Sequence, residues 1–549
     1  MTCHENNLEC ESCNIGYKLI EGKCKADYHL RVTYLSTYPN EQIDLISIDD
    51  IYIKRIIIDG KYVDFTEKYN FPEQGYHNVS FKFVQLTIVW YYNLFVGNKR
   101  IISASFSDFD EYIPCIEFRG MFSQCTNLTS VDLSKISFKM EYNYDLYNMF
   151  NECTNLIHVN LNTTKFNVSS AEKMFYNCIS LVSVDFSKLN VAKLEYTDFM
   201  FYNCISLKSI NLKGLKSVTN INYMFYNCTS LESIDFSSFQ PEKLEKMENV
   251  FGNCISLKYI NFNEFYAPNV QYMDYLFYNC TSLESINLAN FNTKNVKNFT
   301  NIFGYCTSLK SIDISNFETY NVVDISSMFS HCFSLESINL LSFVTNNVYY
   351  MNSLFSHCYS LKSIKYNAKN FVTDNVNNMT SLFSHCYSLT TINLSNFNTK
   401  NVVSFDNMFS HCYSLTTIDL SNFNTEKVVY FDSMFSHCYS LNSINISHFN
   451  TKSFSSLKNM FIGCYSLTSI DLSNFQNNKY PDYENLFYDC PNLKYVNISK
   501  FSRDLSKYLE MFNQNISSNG IIAINQEYYN YYHDDYKLYF PSNWTILFE

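Results

Sequence analysis

The chain of 549 residues carries 52 Asp and Glu against 40 Lys and Arg, a formal net charge of −12, and only 17% of its residues are charged. No run of Lys or Arg supplies the basic footprint that a phosphate backbone requires, which argues against nucleic acid as a partner. No stretch approaches the ~20 apolar residues of a membrane span, so the chain as given is not expected to insert into a membrane.

Residues 1–25 hold Cys3, Cys10, Cys13 and Cys24 and little that forms a core. A unit so small needs cross-links, which makes these four the disulfide candidates and points to an oxidising compartment; their pairing is open. A zinc site is the alternative, with the Cys10-x-x-Cys13 pair but no second pair to match it. The run Gly16-Tyr17-Lys18-Leu19-Ile20-Glu21-Gly22-Lys23-Cys24 resembles the tail of an EGF-like or furin-like module. Met1 leads directly into Thr2-Cys3-His4, without the charged and apolar regions of a signal peptide. The module begins in mid-pattern, so the expectation is a start further upstream that brings more cysteines and an export signal.

Residues 26–112 change to β-branched and aromatic runs, Tyr28–Tyr34, Ile51–Ile58 and Val79–Trp90, separated by turn signals at Asp59-Gly60 and Glu73-Gln74-Gly75. They predict a β-rich N-terminal capping domain.

Residues 113–516 are a repeat array. Fifteen times, from Cys125 to Cys490, the pattern Phe-x-x-Cys-x-x-Leu recurs, usually 26 residues apart. A repeat of that length is one coil of a solenoid, too small to bury its apolar face alone and dependent on its neighbours to cover both open flanks. In one coil Val322, Ile325, Met328 with Phe329, and Cys332 follow the spacing of one face of a short helix. Ile338 and Leu340 then alternate as a strand does, with both side chains inward. Phe329 and Leu335 are the expected centre of the core. Residues 517–549 break the pattern after Met511-Phe512, with Asn515 where the next cysteine is due, and are expected to form a C-terminal cap and the natural end of the chain. The expected fold is an α/β solenoid of the leucine-rich-repeat kind, with short parallel strands on one face and short helices on the other.

The stretch Asn401 to Leu415, with Met408-Phe409-Ser410-His411-Cys412, and its continuation Thr416-Thr417-Ile418-Asp419-Leu420-Ser421-Asn422-Phe423, resembles the 26-residue repeat of BspA-like leucine-rich-repeat surface proteins. The resemblance spans roughly residues 118–515. It implies a surface or secreted protein that mediates adhesion or macromolecular binding. Against that family, no leader and no wall or lipid anchor is visible.

The repeat cysteines are expected to be buried as small hydrophobes. His331, His357, His385, His411 and His437 precede the cysteine in five consecutive coils. On a helix, neighbouring residues point about 100° apart, so His and Cys would not converge on one ion. The expectation is a ladder of exposed imidazoles with ordinary titration. The informative surface is the strand face, where residues alternating with the buried ones form columns. One column holds Ser311, Ser337 and Ser363; the next holds Asp313, Asn339, Lys365, Asn393, Asp419, Asn445 and Asp471. Lys365 coincides with an irregularity, since Cys358 and Cys386 are 28 residues apart. Such a sheet suits a protein or glycan macromolecule better than a small molecule. No Walker loop, Gly-x-Gly-x-x-Gly, Gly-x-Ser-x-Gly or His-Glu-x-x-His motif is present, so no catalytic residue, metal or cofactor is expected. The function expected is non-enzymatic binding at the cell surface or outside it, with an intracellular interaction scaffold as the alternative.

Overall fold

A computed structural model describes residues 2–3, 10–12, 17–20, 23–26, 30–47, 53–83, 92–106, 118–134, 143–161, 167–187, 189–212, 214–449, 454–475, 482–501, 510–512, 515–527 and 538–549. The chain forms two compact units, Met1–Asn269 and Val270–Glu549.

In the first unit the strand Leu30–Ser36 alternates inward Leu30, Val32 and Tyr34 with outward residues. It pairs antiparallel with Gly75–Phe83 on one side and Ile101–Phe106 on the other. Strands Ile53–Ile58 and Lys61–Asp64 make a hairpin around Asp59 and Gly60, whose φ values of 46° and 82° fit the turn that this dipeptide favours. On its far edge Ile101–Phe106 pairs parallel with Ser130–Asp132, and that strand with His158–Asn160. The antiparallel sheet thus passes directly into the parallel strands of the first coils, and the open flank of the first coil is covered by continuation of the sheet itself. Beneath it, Phe95, Phe122, Phe150, Phe175, Phe201, Phe225 and Phe251 stack with ring centroids 5.3–5.9 Å apart.

The second unit repeats the coil. Strand Ser337–Leu340 buries Ile338 and Leu340 and exposes Ser337 and Asn339, as the alternation requires. It pairs parallel with Ser363–Tyr366, Ser337 opposite Ser363 and Asn339 opposite Lys365. Phe329 and Leu335 are fully buried, Phe329 within a column of stacked rings from Phe277 to Phe512 at 5.4–5.9 Å. At its end the parallel strands Ser469–Asp471, Tyr495–Asn497, Gly520–Ile524 and Trp544–Phe548 form one sheet.

The short helices expected on the side opposite the strands are not there. Among the described residues of the array that side is a staircase of β-turns. In all fifteen coils the residues five before and one before the cysteine have left-handed φ, 55° at Ser327 and 61° at His331 in the coil of Cys332. A right-handed helix of L residues does not accommodate two such positions in five. The hydrogen bonds explain the alternative. Met328, Ser330, Cys332 and Leu335 donate to the carbonyl three residues back, while the interleaved Ile325, Ser327, Phe329 and His331 donate to Tyr350, Asn352, Leu354 and Ser356 of the next coil, at 2.7–3.0 Å. A helix keeps its N–H groups within itself; here many of them tie one coil to the next. Successive four-residue turns bring side chains back to the core at a spacing that imitates one helical face.

Candidate functional site

The strand-face columns lie where the alternation puts them. Ser311, Ser337, Ser363, Asp313, Asn339, Lys365, Asn393, Asp419 and Asn445 are exposed, and Asp471 is half-buried. The Asp and Asn column does a second job that the sequence reading missed. Its Oδ1 atoms accept the backbone N–H two residues on: Asp313 from Ser315 at 2.9 Å, Asn339 from Leu341 at 3.1 Å, Asn393 from Ser395 at 3.0 Å, Asp419 from Ser421 at 2.9 Å, Asn445 from Ser447 at 3.3 Å and Asp471 from Ser473 at 2.8 Å. Each closes an Asx-turn; it lies in a strand at Asn339 and Asp471, at an isolated bridge at Asp313, and in a coil segment without strand pairing at Asn393, Asp419 and Asn445. These bonds, from the Ser315 side chain and backbone and the Ser421 backbone and side chain, hold the Asp313 and Asp419 carboxyls below the usual carboxylate range. The signal was present in the recurring Asp/Asn-x-Ser at this corner of the coil.

Lys365 stands in this row without such a turn of its own. The two extra residues of its coil fold into a local loop in which Lys369 N–H donates to Asn367 Oδ1 and Phe371 N–H to Asn367 O. Phe371 still stacks near Phe397 at 6.0 Å. Tyr366 stands where the other coils of the second unit carry a buried aliphatic, is half-buried, and its hydroxyl bonds Asn393 O. A small apolar cavity lined by Phe355, Ile364, Tyr366, Phe371 and Phe383 is left beside it.

Next to the serine column runs a row of alternating charges. Lys310 pairs with Glu284 at 2.8 Å and Lys362 with Glu336 at 2.9 Å in the second unit, and Lys258 with Glu232 at 3.1 Å in the first. All are well exposed, so each adds little to stability. Their effect is to leave this row near neutrality, without the field that draws a polyanion.

All fifteen repeat cysteines are buried. The thiol of Cys332 donates to Phe303 O at 3.2 Å and that of Cys358 to Phe329 O at 3.1 Å, and the pattern recurs through each unit. Burial raises these thiols, Cys412 to about 12, so they stay protonated and unreactive at neutral pH. Among the described residues no group of three or more His, Cys, Asp or Glu is placed to hold a metal. The side chains of Cys3, Cys10, Cys13 and Cys24, and with them the disulfide expectation, lie outside the described residues.

The histidines correct the expectation of exposed, ordinary imidazoles. His331, His357, His385, His411 and His437 are half-buried and stack face to face, with ring centroids 4.1–4.5 Å apart and planes within 13° of parallel. Each Nδ1 meets the hydroxyl of the preceding serine at 2.7–2.8 Å. Burial, then the neighbouring imidazoles, pull His331, His385 and His411 down to about 4, and burial lowers His357 and His437. The staircase is the cause: a left-handed residue at the same place in each coil aims every ring along one line. Beside it Phe333, Tyr359, Tyr387, Tyr413, Tyr439 and Tyr465 form a second stack at 4.4–4.8 Å.

One further constellation went unseen in the sequence. In the N-terminal β-sheet His77 Nδ1 lies 2.7 Å from Asp59 Oδ2, and its Nε2 lies 3.1 Å from Ser36 Oγ. This arrangement has the outline of a hydrolytic triad, but Ser36 is fully buried and its hydroxyl donates to Glu73 O at 2.6 Å. The hydroxyl is committed to the fold and closed to a substrate; the cluster pins the Gly75 turn to the Asp59 turn.

A family model described as "Mycoplasma protein of unknown function, DUF285" matches the chain in six overlapping stretches, residues 116–239, 205–311, 245–367, 273–391, 359–444 and 416–525. Among solved structures, a leucine-rich repeat protein from Eubacterium ventriosum is 14% identical, with 76% of this chain and 91% of that chain covered and a TM-score of 0.29. The crystal structure of a TLR13–ssRNA13 complex is 12% identical, with 81% and 84% covered and a TM-score of 0.19. No curated protein matches. Among the described residues no helix is long and apolar enough to cross a membrane.

Proposed function

We propose, for a chain that belongs to the DUF285 family, that it is a non-enzymatic repeat protein which binds a protein or glycan macromolecule through the strand face of its coils. The observation that carries this reading is the preorganised polar column of the second unit. Asp313, Asn339, Asn393, Asp419 and Asn445 each spend one oxygen on their own turn, which fixes the side chain, and remain exposed. Groups already held in place lose little freedom when a partner arrives, so a row of weak polar contacts adds up. Ser311, Ser337 and Ser363 beside them keep the face low and open, and Lys365 adds a single positive charge within the row. The alternating Glu and Lys pairs leave no basic track, which weighs against nucleic acid.

The finer reading is a BspA-like surface or secreted protein in which this face mediates adhesion. It rests on the repeat resemblance and on the small cysteine-rich segment at residues 1–25. An antibody to the chain should stain intact, unpermeabilised cells, whereas staining only after permeabilisation supports the intracellular scaffold instead. For the face itself, the full chain should bind proteins or glycans on an array of extracellular matrix and cell-surface material. The triple variant S311R/S337R/S363R should lose that binding with an unchanged melting temperature. Binding untouched by the three arginines would place the contact elsewhere.

A further inference from the structure

The imidazole column of the second unit has no part in strand-face binding. In the first unit the same left-handed position, one before the cysteine, holds Asn177, Asn203 and Asn227, with φ of 58–60° and amides bonded in series at 2.9 and 2.5 Å. The second unit fills it with five histidines in succession. Tyr305 stacks on His331 at 4.0 Å and closes one end. Gly463 closes the other, where a Cβ would stand 2.9 Å from His437 Cδ2.

The groups that face the column are few. The Nδ1 side meets the five serine hydroxyls. The flank meets the rings of Phe333, Tyr359, Tyr387, Tyr413 and Tyr439 at 5.8–6.0 Å. Asp489, one coil beyond Gly463, acts on His437 and favours its charged form. Among the described residues, the charges that act on His385 and His411 are those of other imidazoles and not of a carboxylate, and burial alone lowers His357. A proton that reaches an inner ring therefore gains no counter-ion and meets a second imidazole 4.1–4.5 Å away. The rings cannot separate freely, because the residues that carry them are bonded to the next coil, His331 N–H to Ser356 O and His385 N–H to Ser410 O, both at 2.7 Å.

We propose that this stack of five imidazoles, closed by Tyr305 and Gly463, is an acid-opened seam of the second unit. Neutral rings hold the turn sides of consecutive coils in register, and charge on adjacent rings drives them apart at the backbone bonds they share. Burial and mutual proximity move the protonation of His385 and His411 down to about 4, and burial lowers that of His357, so the inner rings are neutral at pH 7. The opening thus belongs to the range between about pH 5 and 4, below the ordinary imidazole range.

The test is hydrogen exchange of the full chain, followed by mass spectrometry and corrected for the intrinsic pH dependence of exchange. Wild type should lose protection at least tenfold across residues 327–440 between pH 5.5 and 4, with residues 175–228 of the first unit unchanged. The variant H357N/H385N/H411N, which installs the residue the first unit uses at the same backbone conformation, should keep its protection at pH 4. Equal protection of wild type at pH 7 and pH 4, or the same loss in the variant, overturns the proposal. If the variant does not fold, wild type alone decides: NMR titration of the histidine rings should place the inner three well below 6.5, and ordinary values overturn the seam.

Discussion

The indole of Trp544 lies so close over Gly520 that a Cβ on the glycine would stand 2.6 Å from Cε2 of the ring. The same indole donates from Nε1 to Ser517 O at 3.0 Å and packs on Phe512 at 5.8 Å, the last ring of the phenylalanine column. Its strand pairs parallel with Gly520–Ile524. The closing strand thus seals the column through one flat ring that only a residue without a side chain admits. Gly520→Ala should cost about 1–3 kcal/mol by overpacking, and Trp544→Ala about 3–5 kcal/mol by leaving the column open. Urea denaturation followed by circular dichroism checks both; a Gly520→Ala variant as stable as wild type would mean that the ring is not seated there.

The thiol column makes a chemical prediction. Burial raises Cys306 and Cys412 to about 12, and Cys332 and Cys358 well above the ordinary value. The thiolate is the reactive form. At pH 8 the fifteen repeat cysteines of the native chain should therefore remain unmodified by iodoacetamide for hours, and all fifteen should alkylate once the chain is unfolded in guanidinium. Mass spectrometry of peptides spanning Cys306, Cys332 and Cys358 reads the result; rapid labelling of the native chain would contradict their burial.

What the sequence made legible was burial, because burial repeats with the chain. Phe329, Leu335, Ile338 and Leu340 recur in equivalent form in almost every coil, and each is inside. The turn side was not legible for a physical reason. Its left-handed positions are filled by Asn148 and His331, which tolerate that conformation, but also by Ser327, Phe199, Tyr223 and Lys173, which ordinarily avoid it. The bonds that hold them there run to another coil, so no window of one repeat contains the partner. The histidine column followed the same rule. Its ring direction depends on the left-handed backbone and on the stacking of coils, whereas the helical spacing of Val322 to Cys332 points it to solvent. Of the strand face, the positions were legible and the Asx-turn duty of Asp313 and Asp419 was available but overlooked.

Asp198 offers a test of charge within the first unit. It is buried, and burial together with the Glu172 carboxylate pushes it up to about 6. An acid raised in the folded state binds its proton more tightly there than in the unfolded chain, so stability falls as pH rises from about 4 through about 6 and stays reduced above. Each pKa unit is worth about 1.4 kcal/mol, which bounds the penalty at about 3 kcal/mol. Asp198→Asn keeps the shape and removes the charge. Its melting temperature should exceed that of wild type at pH 7.5 and converge with it near pH 4; the same difference at both values would assign the effect to something other than ionisation.

Asp419 separates the structural duty of the strand-face column from its proposed binding duty. Its carboxylate accepts the Ser421 N–H at 2.9 Å, and Asn393 and Asn445 in the flanking coils do the same with a neutral amide. Asp419→Asn therefore preserves the turn and should leave the denaturation midpoint close to that of wild type, as surface changes away from special features do. Asp419→Ala removes the acceptor and should lower the denaturation midpoint, because the Ser421 N–H then loses its partner. Guanidinium denaturation distinguishes the two. A partner that reads charge on this face should respond to both substitutions, whereas one that requires only an intact turn should respond to alanine alone. If both variants denature as wild type does, the Asx-turn does not stabilise this corner of the coil.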